Sequence, residues 1–149
     1  MSAALPPTAS STPTYERMPV AAAPTIAIRH LRDAFRARDI TEYAVVDHGH
    51  DMAAAGAPSH PAWTLVFGNP AAGEKLLARD LATAIDIPLR LAVIGTGPDT
   101  SAVVLRPMES LLPESLSDIA SAFTDVLRSL VSAARDAAER DEASRGLTS

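Results

Sequence analysis

Apolar and polar positions alternate in two distinct rhythms along this chain, and the changes of rhythm mark its elements. Trp63-Thr64-Leu65-Val66-Phe67 is a short run rich in β-branched and aromatic residues, closed by Gly68-Asn69-Pro70, as expected of a buried strand stopped by a turn. Pro70 suits the first position of a following helix, since its fixed φ matches and its missing N–H needs no partner there; Asn69 becomes the expected cap. Upstream, Tyr15–Val20 reads as a first strand that Pro19 confines to an edge. Thr25 is the expected cap of a helix with Ile28, Leu31 and Phe35 on one stripe and Arg29, Arg32 and Arg36 on another, solvated one. Glu42–Asp47 alternates as a second strand, with Tyr43 and Val45 on one face and Ala44 and Val46 on the other. Met52–Ala55 makes a turn of helix before Gly56 and Pro58 break it.

After the Asn69-Pro70 turn, a helix from about Ala71 to Ala78 offers Leu76 and Leu77 to the core, and Asp80 caps a short turn through Ala84. Leu89–Ile94 and Ser101–Leu105 form a hairpin around Gly95-Thr96-Gly97-Pro98-Asp99, and Pro107 ends it. From about Ser115 the period becomes helical, with Leu116, Ile119, Ala120, Phe123, Leu127, Leu130, Val131 and Ala134 on one face. Each large aliphatic buried there contributes about 1.5–3 kcal/mol, so this helix is a main cover of the sheet. Beyond Ala134 the stripe fades, and Arg135/Glu139, Asp136/Arg140 and Asp141/Arg145 sit four apart as on an exposed helix. The expected architecture is α+β in two layers: one mixed or mostly antiparallel sheet of about five strands, two or three helices, and a long C-terminal helix. Residues 1–13 are expected to be a flexible leader, 14–134 the domain, and 135–149 an exposed helix end that projects into solvent or against a second subunit.

Composition narrows the function. The chain has 149 residues, one domain's length, and no cysteine, which excludes disulfides, thiolate metal sites and thiol nucleophiles. A formal charge of −5 argues against a nucleic-acid partner. No apolar run approaches the roughly 20 residues that span a bilayer and no signal peptide is visible, so no membrane association and a cytoplasmic location are expected.

Candidate chemistry gathers in Asp47-His48-Gly49-His50-Asp51, where a strand ends. His48 is the first candidate, because an imidazole serves as acid, base or ligand near neutral pH and Asp47 or Asp86 would fix its tautomer. Against this stands a structural reading in which Asp47 and Asp86 cap turns and His48 bonds the backbone. His48, His50 and His60, with Asp51, have the residue types of a metal site, but His-x-His spacing is common by chance and His60 lies in a loop; neither metal nor cofactor is expected. Gly68, Asn69, Pro70 and Gly73 are the candidate ligand-binding residues, since a helix N-terminus favours an anion and the glycines allow close approach. Ser10 and Ser11 have no visible base, so a serine nucleophile is not expected.

The series Val46-Asp47-His48, then Phe67-Gly68-Asn69-Pro70 with Gly73 and Leu76, then Ile85-Asp86-Ile87-Pro88-Leu89, resembles the bacterial family called domain of unknown function 302 (DUF302). The likeness runs from about Tyr15 to Ala134. It implies a small two-layer α+β domain, often found as a dimer, and brings no established reaction. The chain departs from the family pattern after the fourth strand, where Gly95-Thr96-Gly97 replaces an acidic pair, and at the fifth, where Val104-Leu105-Arg106-Pro107 replaces a Tyr-x-Asp-Pro ending. The functional expectation is a homodimeric domain binding a small molecule, an anion among the candidates, beside Asp47, His48, Asn69 and Asp86. The alternatives are a cofactor-independent enzyme using His48 with Asp47 or Asp86 for isomerisation, cyclisation or hydration, and a structural or interaction protein acting through the C-terminal helix.

Overall fold

The computed structural model describes residues 14–147, so the leader expected over residues 1–13 lies outside the described residues. Five strands, β1 (Glu16–Val20), β2 (Thr41–Asp47), β3 (Ala62–Gly68), β4 (Leu89–Gly97) and β5 (Thr100–Leu105), form one sheet in the order β1-β5-β4-β3-β2. Every pairing is antiparallel. The helices are α1 (Pro24–Ala37), α2 (His48–Ala54), α3 (Pro70–Leu77) and α4 (Ser117–Gly146), with a 3-10 turn at Leu81–Asp86. The result is the expected two-layer α+β arrangement.

Alternation along the strands sets the two faces of the sheet. Val93, Val103 and Met18 face one another across β4, β5 and β1, and Phe67 pairs Leu89; these join the core beneath α1 and α4. Phe35 of α1 stacks on Phe67 with ring centroids 4.5 Å apart, fixing that helix to the sheet. On the opposite face, Val46, Thr64, Ala92, Val104 and Arg17 form one row across all five strands.

Several local expectations change. Thr25 is not the cap of α1: Ala23 is, without a side-chain bond, because Pro24 takes the first helical position. Tyr43 and Val45 do not share a face in the simple sense, since a bulge between Glu42 and Ala44 resets the pairing; Tyr43 is 50% exposed while Val45 packs on the core. The β4–β5 turn tightens to Pro98-Asp99, with β4 running on through Gly97. The Arg stripe is partly committed, for Arg32 forks onto Glu42 at 3.0–3.2 Å and Arg36 pairs Asp33.

The expected exposed end of α4 also packs further than its pattern shows. Ala138 is only 1% exposed, and Asp141 Oδ2 lies 2.8 Å from His30 Nε2 on α1. Alanines are small enough to let two helices approach closely, which a hydrophobicity pattern registers only weakly. At the other end of the layer, Arg128 of α4 binds Glu16 of the edge strand, with Nε 3.1 Å from Oε2. That hydrogen bond holds the Glu16 carboxyl below its ordinary value of 4.5, against an opposing desolvation, with the Arg128 charge adding to the lowering.

Candidate functional site

The Gly68-Asn69-Pro70 turn leaves β3 and enters α3 as its residues dictate. Asn69 has an extended backbone and its Oδ1 accepts from Ala71 N at 2.9 Å and Ala72 N at 3.3 Å, while Gly73 N donates to the Asn69 carbonyl at 2.9 Å. With Pro70 lacking an N–H, the first amides of α3 are therefore engaged within the chain. An anion held by the backbone amides of this helix start would have to displace the cap, so the geometry gives little support to the helix N-terminus itself as the anion site.

What the turn does instead is border a cavity. Gly68, Asn69, Pro70 and Gly73 all line a space of about 540 Å³ closed by Leu77, Leu81, Ile87, Leu89 and Phe123. Its walls come from the end of β3, α3, the 3-10 turn, the Ile87-Pro88 segment and α4. The lining is overwhelmingly aliphatic and aromatic, with Tyr43, Asn69 and Glu74 as its polar members. A second cavity of about 330 Å³ shares Gly68, Asn69, Leu89 and Phe123 with the first and extends to Ile40, Val126 and Arg38. Phe123, half-buried on α4, stands at the junction.

The acid–base candidates sit elsewhere. His48 Nε2 lies 2.8 Å from Thr64 Oγ1, and neither Asp47 nor Asp86 hydrogen-bonds it among the described residues. Asp47 caps α2 by accepting from His50 N at 2.9 Å. Asp86 ends the 3-10 turn and lines, with Thr64, Arg90 and Arg106, a separate depression of about 220 Å³. Thus Thr64 links the two elements only indirectly: it bonds His48 and shares a depression with Asp86. Asp80 caps this turn as expected, its Oδ1 accepting from Ala82 N at 2.9 Å, while Asp86 makes no cap bond among the described residues.

Gly49, in the middle of Asp47-His48-Gly49-His50-Asp51, has a packing reason to be glycine. A Cβ there would lie 2.6 Å from the His60 carbonyl oxygen, and its own carbonyl accepts from Ser59 Oγ at 2.8 Å. Among the described residues no three His, Asp or Glu side chains gather as a metal site, His48, His50 and His60 included. No helix among them is long and apolar enough to cross a membrane.

The family pattern of domain of unknown function DUF302 matches residues 17–135. The chain belongs to the DUF302 family. Among solved structures, the crystal structure of an uncharacterized conserved protein DUF302 from Bacillus stearothermophilus is similar, with a TM-score of 0.77 and 16% identity over 83% of this chain and 100% of that one. At that identity the likeness shows a shared DUF302 fold. No curated protein matches.

Within this DUF302 domain, Leu81, Ile87, Leu89 and Phe123 line the cavity although none is among the ligand-binding residues expected from the sequence. Leu81 is 77% exposed at the cavity rim, on the short turn whose Ile85 is exposed as well. Phe123 falls on the apolar stripe of α4 and carries nothing in the sequence to separate it from core residues.

Proposed function

We propose that this DUF302 protein is a binding domain for a small, mainly apolar molecule held between α3, the Leu81–Asp86 turn and α4. The observation that carries the proposal is the cavity of about 540 Å³ on which Gly68, Asn69, Pro70 and Gly73 converge; its size and lining are those of small-molecule sites. Gly73 adds support. A glycine inside a helix costs about 0.5–1 kcal/mol relative to alanine. Nothing in the packing demands one, since a Cβ at Gly73 would meet only Ile87 Cδ1 at an ordinary 3.7 Å. Its missing side chain leaves room in the cavity.

The acid–base alternative, with His48 as acid or base and Asp47 or Asp86 as its orienter, has less support. His48 is partnered by a hydroxyl, and Asp47 is occupied as a helix cap. Ligand binding is tested with the neutral fluorophore N-phenyl-1-naphthylamine. Saturable binding that Ala78→Trp removes, by filling the rim from an exposed position, is the expected result; absence of binding, or indifference to that substitution, overturns the reading.

The same proposal includes a homodimer formed through the sheet face away from α1 and α4. Val46, Val66, Ala92, Ile94 and Val104 are only half-buried there, enough apolar surface to favour a second copy. Light scattering after gel filtration should report a dimer that Val66→Glu splits into folded monomers, whereas a wild-type monomer removes this part.

A further inference from the structure

We propose that the molecule bound by this protein is an elongated amphiphile carrying one anionic head, a medium-chain carboxylate in its simplest form, with the head at Arg38 and Asn69 and the chain running beneath Phe123 into the larger cavity. This rests on the cavity being the ligand site. The two cavities of about 540 and 330 Å³ share four lining residues and so adjoin, which lets one extended ligand occupy the pair as a single groove. Polar groups are unevenly placed along it.

Arg38 lines only the smaller cavity. Its Nη1 donates to the Ala34 carbonyl at 3.2 Å, which orients the guanidinium at the end of α1, and no carboxylate lies within 4.0 Å of it among the described residues. It is exposed and makes no ion pair among the described residues, at the edge of an apolar space. Asn69 borders both cavities. Its Oδ1 is tied to Ala71 and Ala72, which fixes the amide orientation and leaves the side-chain N–H donors unused among the described residues. A guanidinium and an amide with free donors suit a carboxylate, since charge-assisted bonds to an anion are the stronger kind.

The larger cavity carries the opposite sign. Glu74 is its carboxylate, unpaired among the described residues. A second anionic group at that end would meet a carboxylate, so the groove selects against a dianion. The remaining walls, Leu77, Leu81, Ile87 and Leu89 among them, match an alkyl chain.

Isothermal titration of the full-length protein with dodecanoate, dodecanol and dodecanedioate, each below its aggregation threshold, tests this. Dodecanoate should bind at least tenfold more tightly than either of the others. Arg38→Gln should lower dodecanoate affinity to the dodecanol level and leave dodecanol binding unchanged, which also shows that the variant is folded. Equal affinity for dodecanoate and dodecanol, or an Arg38→Gln that weakens both alike, overturns the anionic head. If dodecanol still binds in an Ala78→Trp-sensitive manner in that case, the apolar-cavity reading survives alone; binding of neither dodecanoate nor dodecanol removes both.

Discussion

His48 Nε2 and Thr64 Oγ1 lie 2.8 Å apart, joining the first residue of α2 to the middle of β3 on the sheet face away from the long helices. Neither residue lines the apolar cavity. His48→Ala and Thr64→Val are each expected to lower unfolding free energy by about 0.5–1.5 kcal/mol, the net value of one hydrogen bond. Urea titration measures this. Neither variant should change the affinity for N-phenyl-1-naphthylamine, and a loss of binding in His48→Ala would contradict this.

Gly73→Ala is expected to move stability and binding in opposite directions. Removing a helical glycine should stabilise α3 by about 0.5–1 kcal/mol. The added methyl projects toward Ile87 in the cavity wall and should weaken a tight-fitting apolar ligand by about fivefold, near 1 kcal/mol. Thermal melting with fluorescence titration reads both, and unchanged affinity would show that the ligand does not reach α3.

The Glu16–Arg128 pair predicts an acid-side dependence of stability. Because the folded-state pKa of Glu16 is below its ordinary value of 4.5, the native state favours the carboxylate. The pair's contribution is fully present above that unfolded value and is lost as pH falls through the lower folded one. Comparing wild type with Glu16→Gln by denaturant unfolding across this window should show the difference shrinking toward acid; a difference independent of pH sinks the assignment.

Ala138→Asp should be much more damaging than its place near the end of α4 suggests. It puts a carboxylate where only 1% of the residue is accessible, against α1, and should cost more than about 2 kcal/mol. Asp141→Ala, which removes the partner of His30, should cost less, about 1 kcal/mol. Circular dichroism melting of both variants checks the order.

The elements were legible where each residue's neighbours in sequence are also its neighbours in space. Asn69 caps α3 and Asp80 caps its turn as their spacing implied, because a cap bond closes over two or three residues. Thr25 is not a cap for an equally local reason: Pro24 takes the first helical position one residue earlier. Tyr43 failed because a bulge is a property of strand pairing and leaves no mark on one strand alone.

The candidate site was legible as a set of residue types and less so as a place. By itself, the chain determined the antiparallel-rich α+β class, the long last helix, and the turn at Gly68-Asn69-Pro70, since periodicity, proline geometry and side-chain caps act over a few residues. Only tertiary structure decided that His48 meets Thr64, that Asp86 opens onto a different depression, and that Phe123 and Arg38 border the cavities beside Asn69. A cavity is bounded by segments far apart in sequence, and its shape depends on how the helices settle on the sheet, which no local pattern encodes.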